Sequence, residues 1–227
     1  MHASFWHQGW QEQRIGFHQN KINPYLSKYW PKLNITENSR VFVPLCGKSL
    51  DLCYFPQQGL KVLGNELSTL AVQDFYTEQQ LIASKTVICD ENSVTVQAQM
   101  SLWQSKDIDL LCGDFFALKK KQLTDIKAVY DRAALVALPS EMRRKYVRKM
   151  REILPDKISM LLLTLDYNEN EQQGPPFSVT QEEVYELYEP CFNIELLELS
   201  ETEPQQRSPR FQNMSYFNER VFYLSSR

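Results

Sequence analysis

Histidine is scarce in this chain. His2, His7 and His18 are the only three in 227 residues, and their spacing matches no metal-ligand pattern. No histidine follows position 18, and neither Ser49 nor Ser178 stands in a G-x-S-x-G setting, which excludes a serine acyl-transfer triad. Cysteine is limited to Cys46, Cys53, Cys89, Cys112 and Cys191, an odd count with no C-x-x-C pair. A disulfide framework and a structural zinc site both demand other patterns, so these read as small buried hydrophobes in a reducing compartment. No apolar run approaches the roughly 18 residues that a membrane span needs. The opening Met1-His2-Ala3-Ser4-Phe5-Trp6-His7 lacks a secretory apolar region, so the expected location is cytoplasmic. Net charge is nearly absent too: 25 basic against 28 acidic residues give −3. That balance offers no electrostatic basis for binding nucleic acid. The one basic cluster, Arg143-Arg144-Lys145 with Arg148, Lys149 and Arg151, spreads around a helix and reads as a solvated face.

What is present is a β-α-β signal. Arg40-Val41-Phe42-Val43-Pro44-Leu45-Cys46-Gly47 is an apolar strand running into a glycine turn. Val62-Leu63-Gly64-Asn65-Glu66 is a second strand, ending on an acid 19 positions after Gly47. An acid at about that distance accepts hydrogen bonds from ribose hydroxyls in nucleotide-binding units. The full G-x-G-x-x-G is missing, which disfavours a diphosphate cofactor. Gly47-Lys48-Ser49 resembles the end of a P-loop, but position 42 is Phe where that motif needs glycine. A nucleoside without phosphates fits better, and S-adenosylmethionine is the commonest such cofactor.

The 227 residues are 43% hydrophobic, enough for one domain with a large core. Residues 1–39 are aromatic-rich, with short helices expected near 6–14 and 23–31; they read as a helical flap or as a lid over a planar ligand. From residue 40 strands and helices alternate, with parallel strands near 40–45, 61–66, 107–112, 126–130 and 158–165. Residues 86–103 read as antiparallel strands, with arms at 86–89 and 94–98. Ser68 caps a helix with Leu70, Ala71, Phe75 and Leu81 as its apolar stripe. Pro139 opens a long helix, and Thr180 with Glu183 suggests a capping box. Terminal strands follow near 192–199 and 219–225. The expectation is a single α/β domain over 1–227: a doubly wound Rossmann-like core from 40 to 227 behind an N-terminal lid of 1–39.

Ligands of such sheets sit beyond the carboxyl ends of strands. Leu45, Cys46 and Gly47 fall there, as do Glu66, Gly113-Asp114-Phe115, Asp131-Arg132 and Asp166-Tyr167. Glu66 is the ribose candidate, or an acid favoured by the dipole of the helix after it. Asp114 either accepts from an adenine amino group or caps a turn. Asp131 and Arg132 form an internal ion pair, or Arg132 offers its planar fork to a ligand.

Several runs taken together resemble bacterial thiopurine S-methyltransferase: Phe5-Trp6-His7, Ile15-Gly16-Phe17-His18-Gln19, Val43-Pro44-Leu45-Cys46-Gly47-Lys48-Ser49, Cys112-Gly113-Asp114-Phe115-Phe116, Tyr130-Asp131-Arg132-Ala133-Ala134-Leu135 and Gly174-Pro175-Pro176-Phe177. The resemblance spans roughly Phe5 to Leu224 and implies a class I methyltransferase using S-adenosylmethionine. Its sheet would be seven-stranded and mostly parallel, with an antiparallel last strand. It implies cofactor contacts from Trp6, Trp10, Leu45, Gly47, Glu66, Gly113, Asp114 and Arg132. Phe17, His18, Arg132, Pro175, Pro176 and Phe177 would border the acceptor. Arg132 would position that acceptor, with no general base required and no metal. Asn65 departs from the apolar residue usual in the family. The partner is a small-molecule thiol, the protein is expected to be monomeric, and thiopurines or related aromatic thiols are the implied acceptors. Selenium or tellurium compounds in metalloid detoxification, or a non-catalytic nucleoside-binding role, are the alternatives.

Overall fold

The computed structural model describes residues 3–16, 18–88 and 100–227. Nine strands form one sheet: β1 Arg40–Val43, β2 Lys61–Glu66, β3 Ser84–Ile88, β4 Met100–Gln104, β5 Ile108–Cys112, β6 Ile126–Arg132, β7 Ser159–Tyr167, β8 Phe192–Glu201 and β9 Phe217–Ser226, in the order β3-β4-β5-β2-β1-β6-β7-β9-β8. Strands β5, β2, β1, β6 and β7 are mutually parallel, and β9 pairs antiparallel with both β7 and β8. The run from β5 to β8 is the expected seven-stranded sheet. The β3/β4 pair extends it at one edge, β4 running antiparallel to both β3 and β5. Of the two arms expected there, the second, 94–98, lies outside the described residues.

The central strands are nearly continuous apolar runs because both faces are covered. Phe42 and Val41 on β1, and Val129 and Ala128 on β6, are fully buried on opposite sides. One core, containing Phe42, Val129, Leu162 and Phe222, lies under α5 (Ser140–Ile153) and α6 (Gln181–Tyr188). The other, with Val41, Tyr130, Leu161 and Val221, packs under α2 (Pro24–Tyr29), α3 (Tyr54–Gln57) and α4 (Thr69–Glu78). The first helix, α1 (Ala3–Gln11), lies against α4.

Local chemistry sets several boundaries. Asn23 caps α2 by accepting from the Tyr25 N–H at 2.9 Å, and Pro24 sits where its missing N–H costs nothing. Ser68 caps α4 through the Ala71 N–H. The stripe of α4 differs from expectation: Ala71, Val72, Phe75 and Tyr76 are buried, while Leu70 and Leu81 are exposed. Helical spacing allows either set, and the sheet selects the 71/72/75/76 face. The capping box at Thr180 is half made. Thr180 accepts from the Glu183 N–H, but the Glu183 carboxylate instead grips Arg143 through two bonds of 2.7 and 2.8 Å. Arg143 is buried and also donates to the Leu138 carbonyl. The basic face of α5 is therefore solvated at Arg144, Lys145, Arg148 and Arg151 but not at Arg143.

Candidate active site

The chain leaves β1 for β2 and β5 on one side and returns to β6 and β7 on the other. The topological switch lies between β1 and β6, and a cleft forms beyond the strand ends there. A cavity of about 1930 Å³ opens at this place. One small ligand commonly needs several hundred to about 1,000 Å³, so there is room for two. Its wall holds Trp6 and Trp10 from α1, Leu45, Gly47 and Glu66, Gly113 and Asp114 after β5, Arg132 from β6, and Pro175 and Pro176. The structure thus brings together ten of the thirteen residues singled out by sequence. Among the described residues, His18 and Phe177 are not in that wall. Phe17 lies outside the described residues.

Gly47 adopts a left-handed φ of 54°, which glycine takes at no steric cost, and the turn aims its N–H at Glu66 Oε2 across 2.9 Å. Glu66 Oε1 accepts from the Ser68 N–H at 2.7 Å. Burial pushes the Glu66 carboxyl up, and the bonds from Ser68 and Gly47 pull it back down. A carboxylate offers about four lone-pair sites, and the Gly47, Ser68 and Leu67 amides fill at most three, so acceptor capacity is left for a ribose hydroxyl. The acid serves the local turn and still has capacity for a ligand, so the two sequence readings of Glu66 are compatible.

Two non-glycine residues in the left-handed region flank the switch point: Leu45 at φ 45° after β1 and Ala133 at φ 62° after β6. Such residues cost of order 1–3 kcal/mol each and gather at functional sites. Gly64 on β2 has a packing reason instead: a Cβ there would lie 2.4 Å from Leu110 Cδ2 and 2.8 Å from Cys46 Sγ.

Asp131 and Arg132 do not pair with each other, because consecutive strand residues face opposite sides. Asp131 turns into the α5 core, accepting from the Tyr146 hydroxyl at 2.7 Å and the Leu135 N–H at 3.1 Å; burial raises its carboxyl to about 6. Arg132 turns into the cavity wall, where Nε is paired with Asp51 and Nη2 donates to Ser49 Oγ at 2.8 Å. Asp51 is buried and also receives the Tyr130 hydroxyl and the Asn23 N–H. Much of the Arg132 charge is compensated in place, so the guanidinium is a held fork rather than a bare cation.

Asp114 takes the capping reading, accepting from the Phe116 N–H at 2.9 Å, while remaining in the cavity wall. Asn65, noted in the sequence only as a departure, donates from Nδ2 to the Leu111 and Gly113 carbonyls at 3.0 Å each, tying β2 to the turn after β5. Arg207 and Arg210 both reach the cavity wall but bond to backbone: Arg207 to the Thr202 and Met214 carbonyls, Arg210 to those of Gln173 and Pro175. Arg210 therefore fastens the 201–218 segment to the Pro-Pro loop. Sequence reasoning missed Tyr25, Thr202 and Glu219, which also line the cavity. No motif marks them.

Nothing here resembles a metal centre: among the described residues no group of three His, Cys, Asp or Glu side chains could hold an ion. Of the five cysteines, Cys46 and Cys112 are buried and Cys53 and Cys191 half-buried, all free, while Cys89 lies outside the described residues. No helix among the described residues is long and apolar enough to cross a membrane.

A mostly parallel sheet with a reversed β9, an acid ending the second strand and a cavity over the switch point define a Rossmann-like methyltransferase fold. Solved structures agree: a methyltransferase of Anabaena variabilis described as SAM-dependent superposes with a TM-score of 0.63 at 15% identity, covering 99% of this chain and 95% of that one. The magnesium protoporphyrin IX methyltransferase of Synechocystis, solved with bound S-adenosylhomocysteine, gives 0.61 at 13% identity, covering 98% and 97%. At the level of sequence the thiopurine S-methyltransferase family matches residues 1–227. Thiopurine S-methyltransferases of Shewanella frigidimarina and Pseudomonas putida are each 44% identical to the chain over 227 residues, covering 99% of it and at least 99% of the relative. The chain belongs to the thiopurine S-methyltransferase family.

Proposed function

We propose that the protein methylates the sulfur of thiopurines and related heteroaromatic thiols, with S-adenosylmethionine as donor. The observation that carries the reading is Glu66: a buried carboxylate oriented by the Gly47 and Ser68 amides, with acceptor capacity to spare, in the wall of a cavity roomy enough for donor and acceptor. The donor set fits that cofactor. Glu66 would take the ribose hydroxyls, the Gly113-Asp114 turn would border the adenine, and Trp6 and Trp10 would offer aromatic faces to a cation. Bound there, S-adenosylmethionine supplies an electrophilic methyl group on a sulfonium.

The protein's own residues orient and dehydrate. Arg132, fixed by Asp51 and Ser49, marks the boundary between donor and acceptor. The segment 1–39, whose α1 contributes Trp6 and Trp10, would cover the cavity and exclude water, which favours a reaction that loses charge. The Pro175-Pro176 loop, fastened by Arg210, would close the acceptor side. Free buried cysteines suit a reducing cytoplasm, and a small thiol as partner needs neither nucleic acid nor membrane. A monomer completes the cavity from one chain.

The test is methyl transfer from labelled S-adenosylmethionine to mercaptopurine, with binding of the cofactor by calorimetry on the same sample. Transfer supports the reading. Binding without transfer to any thiol would overturn the acceptor assignment and move the search to selenium or tellurium species, or to a non-catalytic role. Absence of binding by folded protein would overturn the reading of Glu66.

A further inference from the structure

The acceptor side of the cavity holds a carboxylate that the proposed transfer has not used. Glu219 lies on β9, and register places it relative to Arg132. Arg132 pairs with Leu163 on β7, Leu163 with Val221 on β9, and Leu165 with Glu219. Paired residues share a face and residues two apart in a strand share a face, so Glu219 and Arg132 are on the same side of the sheet. Two strand spacings across and two residues along put their backbones roughly 12 Å apart. Both side chains line the one cavity, so a planar ring between them can touch both.

The surroundings of Glu219 are polar and incompletely matched. Tyr25 and Thr202 each donate a hydroxyl to its Oε2, both at a long 3.4 Å. Among the described residues no hydrogen bond reaches Oε1. Thr164, in the same wall, is buried with no partner for its Oγ1 among the described residues. A half-buried carboxylate with an idle oxygen is an awkward neighbour for an anion and a good one for an N–H. Heteroaromatic thiols with a ring nitrogen beside the C–S carbon carry their proton on that nitrogen, as thiones. S-methylation of a thione must release the ring proton.

We propose that Glu219 is the residue that recognises the acceptor as a neutral thione, accepting its ring N–H and taking that proton as sulfur is methylated. This rests on the thiol-methylating reading above and narrows its substrate class. In the step, the thione sulfur bonds the methyl carbon as that carbon's bond to the donor sulfonium breaks, the released pair staying on the donor sulfur. The N–H bond pair stays on the ring nitrogen as an in-plane lone pair, and the proton moves to the Glu219 carboxylate and then to solvent. Burial pushes the Glu219 carboxyl up from its usual range, towards the pH at which a base is most effective. The Thr202 and Tyr25 hydroxyls and the Arg132 charge on β6 work against that rise, and Glu198 on β8 adds to it. Arg132, its charge largely met by Asp51, holds the ring rather than a thiolate.

The experiment compares wild type, Glu219→Gln and Glu219→Ala on two acceptors. Mercaptopurine has a ring N–H; para-nitrothiophenol has none and is already a thiolate at neutral pH. For Glu219→Gln the expected result is a kcat about 10- to 100-fold lower on mercaptopurine. Its KM should change less than about threefold, because the amide oxygen still accepts the N–H, and the acid limb should vanish from the pH profile. Turnover of para-nitrothiophenol should not fall in either variant, and should rise if anything, because a thiolate gains by losing a neighbouring carboxylate. Glu219→Ala should also weaken mercaptopurine binding to protein saturated with S-adenosylhomocysteine by about fivefold or more, read by calorimetry. Equal losses on both acceptors, or no loss on either, would overturn the assignment. S-adenosylhomocysteine affinity reports folding; if the Gln variant loses it, Glu219→Asp, which keeps a carboxylate, must retain the acid limb. Should wild type methylate neither acceptor, the thiol reading itself falls, and the calorimetric comparison still decides whether Glu219 binds the thione.

Discussion

On the β1–β2–β5 side of the cavity the polar groups are fixed by backbone over short reaches. The Gly47 and Ser68 amides hold Glu66 from 19 and 2 positions away. On the β6–β7–β9 side long side chains do the fixing across large sequence separations: Arg132 to Asp51, Tyr25 to Glu219, Arg210 to the Pro175 carbonyl. A nucleoside recognised through its ribose presents the same hydroxyls every time, and a backbone-fixed acid suits it. An acceptor that varies among thiols is better met by side chains, which can be exchanged without rebuilding the turn.

This contrast can be broken most forcefully at its seam. Arg132→Ala leaves Asp51 buried with its charge unmet, and removing one partner of a buried pair costs about 3–5 kcal/mol. Chemical denaturation should show a loss of that order together with a collapse of turnover. Retention of both cofactor affinity and turnover would remove Arg132 from the site. Glu66→Gln comes next. Two charge-assisted hydrogen bonds become weaker ones, and the calorimetric Kd for S-adenosylhomocysteine should rise by about 100-fold with mercaptopurine binding little altered. An equal fall in both affinities would mean that the halves are not separable.

Gly64→Ala probes the packing beneath the cofactor half. The added methyl meets Leu110 and Cys46, and overpacking should cost about 1–3 kcal/mol, lowering Tm by roughly 2–4 °C per kcal/mol. An unchanged Tm would show that Leu110 yields freely. Arg210→Ala is the smallest effect on the acceptor side: it unties an exposed contact, so stability should move by less than about 1 kcal/mol. The KM for mercaptopurine should rise several-fold, with cofactor Kd constant. Asp131 gives a pH-dependent control away from both ligands. Its carboxyl is raised to about 6 in the folded protein against about 3.9 unfolded, so the folded state binds the proton more tightly. That contribution is complete below about pH 4 and lost as pH climbs through about 6, so stability declines across this window. Asp131→Asn should flatten the decline in Tm-versus-pH curves; a slope identical to wild type would assign it to other groups.

Much of the cofactor half was legible in the chain, because strand, glycine turn, strand and acid are close in sequence and each obeys a local rule. Glu66, Gly47 and the Ser68 cap fall where spacing and capping preferences put them. Strand β3 was readable from alternation, while β4 falls at Met100–Gln104 rather than at the expected 94–98, and the reversal of β9 followed from the family resemblance. Other features were not. The exposed Leu70 and buried Val72 of α4 differ by a rotation that only the sheet decides. Arg143 looks like any other basic residue of α5 until Glu183 arrives from α6, forty positions later. The separate fates of Asp131 and Arg132 follow from strand alternation, but their partners, Tyr146 and Asp51, are visible only in the fold.

By itself the sequence determined the β-α-β frame and the acid that ends β2, which depend on propensities and spacings within some 30 residues, and the family, through short runs spread from Phe5 to Leu224. The tertiary structure alone decided that Asp51 would neutralise Arg132, that Arg210 would fasten the Pro-Pro loop, and that Glu219 would face the same space as Arg132. Glu219 stands 87 positions beyond Arg132 in the chain. No local preference carries information over that distance; strand register across β7 does, because pairing fixes which side chains share a face.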